Sequence, residues 1–235
     1  MFRIIIFIIF STSYLYSQEI SGKITYEIFY NKETMYERIK EAKKNQDTYE
    51  TALKLEKVIK QSTPTVAELI FSKTKSEYKA IKKLESDNKK DINPVFLRAG
   101  KNQVYYRNLE QQKNTFITDA LGKEIAVNYK NIDFEITSET RVILGYTCYK
   151  AIRKDKPNLN YVAWFTTEIP FSFGPKEING LPGLVLAYDD GIAFSFVAKK
   201  IRLYDKEIEV NDSPNIDEIS FDEYQKRIRK NMPEF

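Results

Sequence analysis

The 235-residue chain has no histidine, and Cys148 is its only cysteine. The first absence excludes Ser-His-Asp and Cys-His nucleophile systems. The second excludes a disulfide within the chain, so stability has to come from an ordinary packed core. Together they exclude zinc sites built from His and Cys, histidine-ligated haem and cysteine-held iron–sulfur clusters. Also missing are a phosphate-binding glycine loop, a G-x-S-x-G nucleophile turn and a spaced acidic calcium loop. No cofactor and no metal are expected. Carboxylate chemistry, Ser-Lys chemistry, an oxygen-lined cation site or no chemistry at all remain.

Long apolar runs are absent too. The run Ile4–Phe10 falls well short of the ~20 residues that cross a bilayer, and no later stretch approaches that length. Preceded by Arg3 and followed by the partly small and polar stretch 11–17, it reads as a secretion signal over residues 1–17, leaving Gln18 at the mature end. Residues 18–235 are then expected to form a single exported domain, periplasmic or, alternatively, secreted, with no integral membrane segment. No cysteine near the cut offers a site for a lipid anchor. The formal net charge of +4 is spread over interleaved lysines and carboxylates, which is a solvated surface and no footprint for nucleic acid.

What is present reads as α+β: a large curved antiparallel β-sheet, a long helical insertion after the first strand and a short C-terminal helix. Residues 22–30 alternate, with Ile24, Tyr26, Ile28 and Tyr30 on one face. Residues 32–61 lack Gly and Pro and place apolar residues at helical spacing, as one kinked helix or two, with a capping box at Asp47–Glu50. Short strand-like segments follow at 66–72, 77–84, 103–107, 114–118, 123–127, 134–137, 140–144 and 147–153, with a polar loop over 85–93. Strands at 161–167, 184–188, 192–198 and 201–210 complete the series. Asp189-Asp190-Gly191 is a hairpin signal, and Ser220–Glu223 is a capping box opening the last helix.

One connection is spelled for a single backbone path. Residues 169–183 contain Pro170, Gly174, Pro175, Gly180, Pro182 and Gly183, and carry Phe171, Phe173 and Leu181 beside the nearby Trp164 and Glu168. Proline fixes φ and glycine admits φ > 0. Long shaped loops often carry function, so these eleven residues form the candidate binding site; a corner between sheet layers is the bland alternative.

The run Gly180-Leu181-Pro182-Gly183-Leu184-Val185 resembles the signature of the GLPGLI family, with Val185 in place of its last isoleucine. Trp164-Phe165-Thr166, Glu168-Ile169-Pro170, Phe173-Gly174-Pro175 and residues 143–151 are similar to the blocks that precede that signature. The resemblance implies an exported envelope protein of a Gram-negative bacterium with an uncharacterised role. It supplies no catalytic residues.

Two functions are therefore expected. The first is a non-enzymatic binding or envelope-assembly protein, presenting an aromatic groove and the rigid loop to an apolar ligand or envelope protein. The second is a carboxylate-dependent hydrolase, with Glu168 or Glu177 beside a second acid or a lysine in a cleft. Ser172 with Lys176 is a weak Ser-Lys candidate. Asp189 and Asp190 serve the turn, and Cys148 is a small buried hydrophobe.

Overall fold

The alternation in residues 22–30 becomes the middle of the sheet. In the computed structural model, which describes residues 21–82, 93–156 and 159–231, strand β1 (Ser21–Tyr30) buries Ile24, Tyr26 and Ile28 completely. Its other face carries Lys23, Thr25, Glu27 and Phe29. Lys23 pairs with Glu68 at 2.7 Å and Glu27 with Lys199 at 3.0 Å across the neighbouring strands. One face is thus core and the other ionic, as an antiparallel sheet with one wet side requires.

β1 pairs with β2 (Thr65–Phe71) on one side and β11 (Phe194–Tyr204) on the other. Beyond β2 the sheet continues through β3 (Lys75–Ile81), β4 (Val104–Asn108), β5 (Lys113–Thr118) and β6 (Ile125–Asn128). Beyond β11 it continues through β10 (Leu184–Asp190), β9 (Tyr161–Thr166), β8 (Tyr146–Arg153) and β7 (Phe134–Ile143). A short β12 (Glu218–Ser220) adds to β6 in parallel and completes a twelve-stranded sheet; among the described residues the other pairings are antiparallel. Register shifts at Thr25/Tyr26, between Val185 and Ala187 and between Ile136 and Thr140 are bulges, which bend strands and increase twist.

The structure bears out the α+β class and refines its elements. The insertion is two helices, α1 (Lys32–Ala42) and α2 (Gln46–Gln61). Asn45, not Asp47, caps the second: its side-chain oxygen accepts the Asp47 N–H at 2.9 Å. Met35 and Ile39 from α1, with Ala52 and Ile59 from α2, join the same core as the inner face of the sheet. A five-residue helix, α3 (Pro94–Arg98), stands at the end of the expected polar loop, with Asn93 accepting the Val95 N–H and Pro94 in the first turn. Residues 134–137 and 140–144 are one bulged strand and not two. The strand expected over 201–210 is instead the end of β11, and the chain then crosses the outer face of the sheet, where Asn211 donates to Glu77 at 2.7 Å. The C-terminal helix α4 (Phe221–Asn231) is capped as expected, Ser220 Oγ accepting the Glu223 N–H at 3.2 Å. The secretion signal and most of the polar loop lie outside the described residues.

Candidate functional site

The connection 167–183 joins β9 to β10 and folds over the inner face of the sheet. Phe171 and Phe173 lie 5.6 and 6.1 Å from the Phe71 ring on β2. The connection is stitched to β10 by Leu184 N–H to Ile169 O at 3.1 Å and Val185 N–H to Phe173 O at 2.9 Å. Two glycines are dictated by close approach: a Cβ on Gly174 would sit 2.1 Å from the Ile178 carbonyl oxygen, and one on Gly183 2.0 Å from that of Thr166. Gly180 has φ +90°.

The eleven sequence candidates do not converge on one groove. Phe173, Gly174, Pro175, Leu181 and Gly183 are buried, Trp164 and Phe171 are half-buried, and Glu168, Pro170, Gly180 and Pro182 are exposed. Phe173 has no exposed surface and serves the core. Trp164 is covered by the Arg141 guanidinium, 4.2 Å from its ring. The Glu168 carboxylate accepts the Thr147 N–H at 2.8 Å and so ties the connection to β8.

The same connection delivers a second group of residues. Lys176 takes the left-handed conformation, φ +52°, unusual for a lysine. Its Nζ lies 3.6 Å from the Glu177 carboxylate and 5.6 Å from the centre of the Tyr105 ring. The two side chains keep 12% and 32% exposure, so water reaches the pair. The Tyr129 hydroxyl donates to the Lys176 carbonyl at 3.4 Å and accepts from the Asn179 amide at 3.4 Å.

Electrostatics mark Glu177 as the centre of this group of residues. Burial alone would raise its pKa, but Lys176 and Arg98 more than offset that and hold the carboxyl below its ordinary value. Burial lowers the Lys176 pKa by more than Glu177 restores. The phenols of Tyr105, Tyr129 and Tyr188 are pushed up, first by burial and then by the Glu177 charge, so they stay protonated as hydrogen-bond donors. Arg98 is itself held by Asp190, whose Oδ2 lies 3.0 Å from the arginine Nε. The other Asp190 oxygen accepts the N–H groups of Ile192, Ala193 and Phe194. Asp190 therefore does serve the turn, and it also anchors α3.

The site thus gathers a helix, two central strands, a loop and the connection. Glu177 and Lys176 were visible in the sequence. Arg98, Tyr105, Tyr129 and Tyr188 were not, because no spacing links residues so far apart. Among the described residues no cluster of acids, Cys or His could hold a metal ion.

A sequence model described as the N-glycanase peptide, N-terminal domain, matches residues 47–225. The chain belongs to this family. Two solved structures, of PNGF-II in a C2 and in a P21 crystal form, share its fold, with TM-scores of 0.56 and 0.54 at 16% and 17% identity. Each match covers 90% of this chain and 33% of the other, so the chain spans about a third of the length of the proteins it resembles. No curated protein matches. Family membership overturns the non-enzymatic binding or assembly reading: the sequence resemblance had carried no activity, and the family that matches is an N-glycanase one. The comparisons do not show the GLPGLI family. They are consistent with an exported protein, and no described helix is long and apolar enough to cross a membrane.

Proposed function

We propose that this chain serves a carboxylate-dependent hydrolysis, the release of an N-linked glycan from its asparagine in a glycoprotein. The observation that carries the reading is the Glu177 carboxylate, ionised by Lys176 and Arg98 and still reached by water, in a chain of N-glycanase family. In this scheme water adds to the side-chain amide carbon while Glu177 accepts its proton. The Lys176 ammonium gives a proton to the leaving nitrogen, the C–N bond breaks, and an aspartate and a glycosylamine result. The Tyr188 hydroxyl, buried without a hydrogen-bond partner in the protein, supplies a donor for the developing oxyanion. Trp164 near the end of β9, with Glu168, Pro170 and their neighbours in the connection, shapes the path that presents Lys176 and Glu177.

On this reading the reaction takes place outside the cytoplasm, in the periplasm or after secretion, with residues 18–235 as one domain behind a signal at residues 1–17. The test is glycan release from a denatured glycoprotein by the purified chain and by Glu177→Gln. Release by the wild type and its loss in a folded Glu177→Gln variant is the expected result. Release that is unchanged in the variant, or absent in the wild type, overturns the reading.

A further inference from the structure

The segment that crosses the outer face of the sheet encloses a polar cleft of about 280 Å³, on the opposite side of the sheet from Glu177. Its walls include Tyr106, Asn108 and Thr115 from β4 and β5, and Asn211 and Ser213 from the crossing segment. On this strand Tyr105 faces the core, so Tyr106 faces outward by alternation. From this arrangement the geometry points to a subsite for one neutral sugar ring, an N-acetylhexosamine or a hexose, on the outer face. The inference rests on the glycan reading above and extends it to how the glycan is held.

Three features select that ligand. The cleft is just below the range of ordinary small-molecule sites, about 300–1,000 Å³, which suits a single ring. Its charges are already engaged: Asp212 pairs with Lys75 at 2.6 Å, Lys113 pairs with Glu218, and the Arg107 guanidinium donates to Asn131 at 3.1 Å and Ser172 at 3.5 Å. What remains is amide, hydroxyl and ring surface, which suits sugar hydroxyls and the apolar face of a pyranose better than an ion. The polar groups are also pre-set. Asn211 commits an N–H to Glu77 at 2.7 Å, which fixes the direction of its carbonyl oxygen. Thr115 donates to Asn128 at 2.8 Å and keeps lone pairs to accept. The Ser213 hydroxyl is buried and has no partner within the protein, and a buried donor left unpaired costs free energy that a ligand oxygen would recover.

The test is a calorimetric or NMR titration of the full chain with free N,N′-diacetylchitobiose and, separately, with glucuronate. Wild type, Asn211→Ala and Tyr106→Ala are compared, with Ser213→Ala as a second, sterically mild variant and thermal unfolding as the fold control. Saturable binding of the neutral sugar, weakened about tenfold in folded Asn211→Ala or Ser213→Ala, is expected, the equivalent of one or two lost hydrogen bonds. Absent binding, equal binding by the variants, or tighter binding of glucuronate overturns the subsite. Sugar binding without glycan release would sink the hydrolysis reading and leave the subsite standing. Release that is intact without sugar binding at the cleft would do the reverse.

Discussion

Asp190 holds Arg98 and its own hairpin with one carboxylate: Oδ2 lies 3.0 Å from Arg98 Nε while Oδ1 accepts three backbone N–H groups. The side chain is only 3% exposed, and nothing but charge-assisted bonds compensates its burial. Replacing it leaves a partly buried guanidinium and three amide donors without that partner. Asp190→Ala is expected to lose at least ~3 kcal/mol of stability in urea unfolding. Asp190→Asn keeps the shape and one acceptor and should fall between it and the wild type. Equal stability of all three would contradict this account of the hairpin.

Gly183 and Gly145 separate steric need from backbone strain. Gly183→Ala drives a Cβ to 2.0 Å from the Thr166 carbonyl oxygen, a backbone atom that cannot step aside. Gly145 has open space around it and φ +87°. Gly145→Ala should cost about 1 kcal/mol, the price of a left-handed non-glycine residue, and Gly183→Ala clearly more, as read by denaturant midpoint. The opposite order would show that the connection relaxes.

Cys148 is wholly buried, and its thiol pKa is pushed up to about 11 by that burial. Native protein at pH 8 is expected to resist iodoacetamide, and urea-unfolded protein to react at one site, seen by intact mass. Because the folded-state value lies above the unfolded one, the thiol adds a stability loss only as pH climbs past about 9 towards 11. Rapid alkylation of the native chain would refute this burial.

Glu177 has the opposite sign. Its folded-state pKa lies below the ordinary 4.5, so its contribution to stability is complete above that value and disappears as pH falls through the depressed one. With no histidine in the chain, no side chain with an ordinary pKa titrates near neutrality, and stability should be nearly flat between about pH 6 and 7. Urea midpoints across pH should show the acid loss in wild type and a smaller one in Glu177→Gln. Identical acid limbs would mean that the carboxylate is not held by its cationic neighbours.

Much of the fold was legible because its signals are local. Alternation in residues 22–30, the Asp-Gly turn and the Ser220 capping box each act within a few residues, and each appears in the structure. Asn45 was overlooked as a cap because Asp47 offered a matching box two residues later, and the geometry of the Lys43–Asn45 break decided between them. α3 is too short for periodicity to register. β12 is three residues long and pairs with β6 from far along the chain, a partnership no pattern announces. The same reasoning covers the site. The Pro/Gly-rich connection was recognisable as a shaped path, but its rings turned inward to Phe71, and what it delivers beside Arg98 and the buried tyrosines is Lys176 and Glu177. Their partners come from four other elements and are brought together only by the sheet.

The most direct test of the central claim is to run the reaction on a glycopeptide in water enriched with heavy oxygen, using wild type and Glu177→Gln, and to read the peptide by mass spectrometry. The account expects one heavy oxygen in a new aspartate where the glycosylated asparagine stood, and its loss in the folded variant. An unchanged glycopeptide, an asparagine still bearing sugar, or equal labelling with Glu177→Gln would contradict it.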